Sequence, residues 1–191
     1  PTSLKMLAEL AENFNCGVHI HVAEDRLDER DAKETYKEPL IQRLAESGVL
    51  RPGSILAHCT HLDQSALRVA KMSGSWLIHN PRSNMNNNVG YASIKDFGSR
   101  AALGTDGIGS DMFEEAKFAF YKSRDDKLGL SAENVLELLA GGQHLASEIF
   151  DEQLQQLNVG ATADLVLYDY LSPTPLTAEN FAWDFIFGMS A

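Results

Sequence analysis

Residues 17–24 read Gly-Val-His-Ile-His-Val-Ala-Glu. Apolar residues alternate with histidine, and the run then breaks on a carboxylate. A period of two marks a strand, so His19 and His21 share one face and Glu24 follows just past the strand end. Two other stretches repeat this plan. Ser54 to Cys59 carries Ile55-Leu56-Ala57 into His58, and Ala101 to Thr105 runs into Asp106, which is flanked by Gly104 and Gly107. Two imidazoles and a carboxylate on the ends of separate strands form the donor set that a catalytic divalent metal requires.

Working outward, helical spacing fills the gaps. Leu4, Leu7, Leu10, Ala11 and Phe14 share one helical face, and Leu40 to Ser47 is helical with Gly48 as its C-cap. The charged stretch Asp25 to Lys37 reads as a loop or a solvated helix. Asp63 caps a helix to about Met72, stopped by Gly74, and a third strand spans Ser75 to His79, ended by Pro81. Asn84 to Asn88 reads as a loop, and Gly90 to Gly98 holds a short helix. Asp111 with Glu114 resembles a capping box for a helix to about Ser123. Ser131 starts another helix, which Gly141-Gly142 breaks. Trp76, Phe113, Phe118 and Phe120 read as core.

Regular alternation of helix and strand implies an α/β fold of parallel strands with crossover helices. Either a (β/α)8 barrel or an open doubly wound sheet suits it, and four strands make only half a barrel. Val159 to Asp169 reads as an isolated strand of a small accessory β-structure. The expected division is therefore residues 1–157 and 158–191.

The chain has 191 residues, 44% of them hydrophobic and 23% charged, with a net charge of −11. That acidity argues against nucleic acid or an anionic membrane as partner. No apolar run reaches about 18 residues, so no membrane-spanning helix is expected. No secretory signal pattern is visible, and two cysteines, Cys16 and Cys59, read as buried thiols of a reducing, cytoplasmic setting. The chain opens on Pro1 and stops within the apolar stretch Phe187 to Ala191, which reads as a fragment.

Each candidate has a chemical rationale. An unligated Glu24 carboxylate beside His21 can shuttle protons. His58 closes an apolar run and is favoured over His61, which reads as a loop residue or a weaker substrate contact. Asp106, between glycines, sits where backbone can approach a ligand. After the third strand, Asn80, Ser83 and Asn84, with Arg82, either hydrogen-bond a polar ring or satisfy the loop's own backbone. No phosphate-binding Gly-rich loop, Gly-x-Ser-x-Gly elbow or Cys-x-x-Cys pair is present.

The segments VHIHVAED, LAHCTHLD, HNPRSNMNNNVGYA, LGTDGIGSDMFE and GATADLVLYDY resemble the amidohydrolase superfamily. They are similar to its aminohydrolase branch of guanine deaminases, adenosylhomocysteine deaminases and triazine chlorohydrolases, and closest in order to the SsnA-type aminohydrolases. The resemblance implies strands 5–8 of a (β/α)8 TIM barrel with a return to the accessory β-sandwich. His21 and Asp106 would ligate a divalent metal, zinc first, with Fe2+ or Mn2+ also suited. Glu24 would be the proton shuttle, Asp106 the general base, and His58 the residue that orients water or substrate. The implied reaction is deamination of a nitrogen heterocycle, a small-molecule substrate, with ring dechlorination as an alternative. Relatives carry a further His-x-His pair on strand 1, and nothing in this chain occupies that place. The isolated chain is therefore expected to be inactive without strands 1–4, or to be a silent binding or assembly half-barrel. Association with copies of itself is also compatible with the barrel.

Overall fold

Helix and strand alternate through the first hundred residues of the computed structural model, which describes residues 2–154 and 157–190. The order is α1 (Thr2–Asn13), β1 (His19–Val22), α2 (Arg26–Asp31), α3 (Leu40–Ser47), β2 (Ile55–His58), α4 (Gln64–Met72), β3 (Trp76–His79), α5 (Pro81–Asn86), β4 (Ala101–Leu103), α6 (Met112–Asp125), α7 (Ala132–Phe150) and α8 (Phe181–Trp183). A π-helical turn at Ala32–Tyr36 extends α2, a 3-10 turn spans Ile94–Asp96, and a second π-helical turn at Asp184–Gly188 extends α8. Among the described residues the strands form one parallel sheet in the order β1-β2-β3-β4.

Register places two kinds of row across the sheet. His21 pairs with Ala57, Ala57 with Ile78, and Ile78 with Ala102. One residue earlier, Ile20, Leu56, Leu77 and Ala101 line up in the same way. The second row faces the helices, where Ile41 and Leu44 of α3, Leu67 and Ala70 of α4, Ala116 and Phe120 of α6 and Val135 of α7 complete the main core. Trp76, Ile78 and Ala102 form a smaller cluster with Ile55 and Leu145. Because the strands run parallel, all their C-terminal ends open on the same side, and His21, His58 and Asp106 come from there.

Local sequence explains most element boundaries. Asp63 caps α4 by accepting from the Ala66 N–H, and Ser131 caps α7 in a reciprocal box with Asn134. Gly48 ends α3 with φ 86°. The charged stretch after Asp25 takes its solvated-helix alternative as α2, which has no buried residue.

Several expectations are corrected. Asn84–Asn88 is not all loop: Pro81 occupies the first turn of α5, where a missing N–H costs nothing. Gly141-Gly142 does not break α7, because Gly141 is where the helix meets the Ala101 carbonyl, which a Cβ would overlap. The Asp111 box is half formed: Asp111 accepts from the Phe113 and Glu114 N–H groups, but the Glu114 side chain turns to Arg82. Phe118 is 38% exposed on α6 and Cys16 is exposed, whereas Cys59 is buried. No strand forms over 159–169. That segment leaves Val159, Leu165, Val166 and Leu167 exposed, and among the described residues no strand lies beside it to take up its backbone hydrogen bonds.

The C-terminal turn returns to the main core through Ala182 and Ile186, and Phe185 stacks on Phe113. Among the described residues no helix is long and apolar enough to cross a membrane.

Candidate metal centre

His21 leaves β1 on the open side, and its side chain is 64% exposed. Its Nδ1 lies 3.8 Å from Oε2 of Glu24, and the same oxygen lies 3.7 Å from Nε2 of His58. The ligand atoms of His21, Glu24 and His58 all fall within 4.8 Å of one another. Asp106 joins through His58, whose Nε2 is 3.7 Å from Asp106 Oδ2. The structure thus brings together the four residues that the sequence singled out, with His58 Nε2 between the two carboxylates.

These separations suit a cation better than direct contact. They exceed the 2.7–3.2 Å range of a hydrogen bond. Two donors each about 2.0–2.1 Å from one tetrahedral zinc lie roughly 3.4 Å apart, close to the spacings found here. His58 Nε2 is buried and has no hydrogen-bond partner, which is how a lone pair reserved for a ligand looks. The chemistry of the donor set therefore fits a divalent metal.

Neighbours hold each group in place. The Glu24 N–H donates to Asp28 Oδ2 at 2.9 Å, and Asn87 Nδ2 donates to Glu24 Oε1 at 3.0 Å. Ser83 Oγ donates to Asp106 Oδ2 at 2.6 Å, and the Gly107 N–H donates to Oδ1 at 2.7 Å. The Ser83 bond, followed by that of Gly107, holds the Asp106 carboxyl below its usual range, so it is an anion at neutral pH. An open cleft of about 520 Å³ borders His21 and Glu24 and is also lined by Leu27, Asp28, Leu40 and Arg43.

The remaining candidates are engaged elsewhere. His61 Nε2 donates to the Val89 carbonyl at 2.6 Å and so pins the loop after α5. Asn80 and Asn84 both touch His58, through its main-chain N–H and its Nδ1. Arg82 makes no opening to a ligand. It is 9% exposed and pairs with Glu115 at 2.5 Å and Glu114 at 2.7 Å, and it donates to the carbonyls of Ile108 and Gly109.

Some residues were not legible as site components. Asn87 sat in a stretch that looked like an undifferentiated loop. Glu115 carries no local pattern that marks it, because its buried bonds go to Arg82, 33 residues away in sequence. His79, fully buried against Tyr91, has no protein partner on either ring nitrogen, and burial pushes its pKa down to about 3.

The amidohydrolase family's sequence profile matches residues 1–187 of the chain. The chain belongs to the amidohydrolase family. It is 31% identical over 185 residues to the 5-methylthioadenosine/S-adenosylhomocysteine deaminase of Caldanaerobacter subterraneus subsp. tengcongensis, covering 91% of this chain and 42% of that protein. It is 32% identical over 178 residues to the 5'-deoxyadenosine deaminase of Methanopyrus kandleri, covering 89% of this chain and 41% of the relative. An adenosine deaminase from Xanthomonas campestris, solved with bound zinc, superimposes with a TM-score of 0.76 at 24% identity over 85% of this chain and 39% of the other. These similarities agree with the aminohydrolase branch that the motifs resemble. The amidohydrolase chain spans about two fifths of the length of these relatives.

Proposed function

We propose that the protein carrying this amidohydrolase segment is a metal-dependent aminohydrolase that deaminates a nitrogen heterocycle, and that the segment supplies strands 5–8 of its barrel. The carrying observation is the convergence of His21, Glu24, His58 and Asp106, with a buried, unpartnered His58 Nε2 at their centre. The relatives named as 5-methylthioadenosine and 5'-deoxyadenosine deaminases favour an adenine ring as substrate and an amine as leaving group. That preference is why deamination stands ahead of ring dechlorination.

His21 and Asp106 would hold the cation, zinc first, with Fe2+ or Mn2+ as alternatives. A divalent cation there supplies Lewis acidity that makes water a nucleophile near neutral pH. Asp106, an anion oriented by Ser83 and Gly107, accepts the proton of the attacking water. His58 orients that water. Glu24, fixed by Asn87 and by its own N–H bond to Asp28, delivers a proton to the ring nitrogen next to the attacked carbon. The proton taken up by Asp106 passes to the amino group, which leaves as ammonia, while the hydroxyl proton returns to Glu24 and the ring keeps the oxygen as a carbonyl.

Two firm ligands are fewer than catalytic zinc sites use, so the isolated chain binds metal weakly and turns over nothing. The test is ammonia release from 5'-deoxyadenosine by the full-length protein that carries this segment. Glu24→Gln should lower kcat by about 10²–10⁴-fold. Asp106→Ala should abolish both turnover and zinc retention. Undiminished zinc after Asp106→Ala, or full turnover in Glu24→Gln, would overturn the assignment.

A further inference from the structure

The first turn of α5 grips His58 at two points. Asn80 Oδ1 accepts the His58 main-chain N–H at 3.2 Å, and Asn84 Oδ1 lies 2.9 Å from His58 Nδ1. Both asparagines are buried, at 4% and 0% exposure. The Asn84 N–H donates to the Asn80 carbonyl at 2.9 Å, so the two side chains sit one helical turn apart. On the far side of the ring, Nε2 has no hydrogen-bond partner and faces the carboxylates of Glu24 and Asp106.

We infer that Asn80 and Asn84 are positioning residues: Asn84 keeps the His58 proton on Nδ1, turning the Nε2 lone pair into the cluster, and Asn80 clamps the main chain that carries the ring. A neutral imidazole has one N–H and one lone pair. An amide oxygen on Nδ1 accepts only from the N–H, which leaves the lone pair on Nε2. With the amide reversed, its NH2 would meet Nδ1 and the proton would move to Nε2, where it could serve neither a cation nor a water proton. A bare Gly104 makes room for the clamp, since a Cβ there would come 2.8 Å from Asn80 Nδ2. The oxygens of both asparagines are thus committed to His58 and not to a substrate ring.

This inference deepens the metal-site reading, but its test does not depend on turnover. Long-range proton–nitrogen NMR on the 15N-histidine-labelled chain, at mildly alkaline pH where imidazole is neutral, reports the protonated ring nitrogen. His58 is assigned by its loss in His58→Gln. The unsubstituted chain should show Nδ1 protonated and Nε2 bare. Asn84→Asp should keep that form, because a carboxylate accepts the same bond. Asn84→Ala should move the proton to Nε2 or give a mixture, seen as an upfield shift of Nε2 with the other histidine signals in place. A proton on Nε2 in the unsubstituted chain overturns the inference, as does Asn84→Ala leaving the ring unchanged. If Asn84→Ala does not fold, the unsubstituted spectrum and Asn84→Asp still decide. Nδ1 protonation in the unsubstituted chain supports the clamp whether or not Asp106→Ala costs the full-length protein its zinc, so the two readings fail separately.

Discussion

Replacing Glu115 by alanine tests whether the ground beneath the site is a single buried ionic latch. Glu115 is fully buried, and its carboxylate accepts two bonds from Arg82: the main-chain N–H at 3.0 Å and Nε–H at 2.5 Å. A hydrogen bond to a charged group contributes about 1.5–3 kcal/mol, so losing two predicts roughly 3–6 kcal/mol. Arg82 keeps Glu114 at 2.7 Å and the Ile108 and Gly109 carbonyls at 3.0 and 2.6 Å, so the guanidinium is not stranded. The expected cost therefore sits near the lower end, about 3–4 kcal/mol. Urea unfolding of the chain, followed by circular dichroism, measures it. Arg82→Leu should cost a similar amount, and the double variant should fall short of the sum by about 2 kcal/mol. Arg82 also ties the loop after Asp106 to the helix carrying Ser83 through the Ile108 and Gly109 carbonyls, so Arg82→Leu should loosen the Ser83–Asp106 bond. A loss under about 1 kcal/mol, or strict additivity with Arg82→Leu, would refute the latch.

Two other outcomes follow from buried geometry. Burial holds the His79 imidazole neutral down to about pH 3, whereas the unfolded chain takes up that proton below about 6.5. Its contribution is thus full above pH 6.5 and is lost as pH falls toward 3, at about 1.4 kcal/mol per pH unit. Stability should drop by roughly 2 kcal/mol between pH 6.5 and 5 in urea titrations, and His79→Leu should remove that slope; an unchanged slope in the variant would assign it elsewhere. In α7 the two adjacent glycines should respond with opposite signs. Gly141→Ala forces a Cβ into the Ala101 carbonyl and should destabilise by about 1–3 kcal/mol, whereas Gly142→Ala meets nothing within 4 Å and should stabilise by up to about 1 kcal/mol, both read from melting curves.

What could be read from the chain was whatever its local pattern carries. The alternation in Gly17–Glu24 fixed β1, and Asp63, Ser131 and Gly48 marked helix ends because their capping bonds stay within four residues. What escaped depended on partners distant in sequence. Gly141 looked like a helix breaker, and only the Ala101 carbonyl, forty residues away, gives it a packing role. The apolar run Leu165-Val166-Leu167 suits a strand, but such a run does not name its neighbour, and among the described residues no strand lies beside it. Asn84 and Asn87 looked alike in an asparagine-rich run, yet one meets His58 and the other Glu24.

The placement of His58 shows the limit most sharply. Register pairs His58 with Val22 and puts Ala57 beside His21, so simple alternation would send the His58 ring to the face opposite His21. Instead the two rings meet edge to face at 4.8 Å. The chain leaves β2 in left-handed conformation, with φ 69° at His58 and 51° at Cys59. Ala23 at 50° and Asp106 at 52° do the same at the exits of β1 and β4. None of these is glycine, and each such conformation costs free energy that its surroundings must offset. Here the offset is visible: the Cys59 N–H donates to the Val22 carbonyl, the His61 N–H to the Ala23 carbonyl, the Gly107 N–H to the Asp106 carboxylate, and the His58 N–H to Asn80. Strain gathered at three strand exits, and held there by hydrogen bonds from neighbouring loops, is what turns a polar strand end into a cluster with one shared focus.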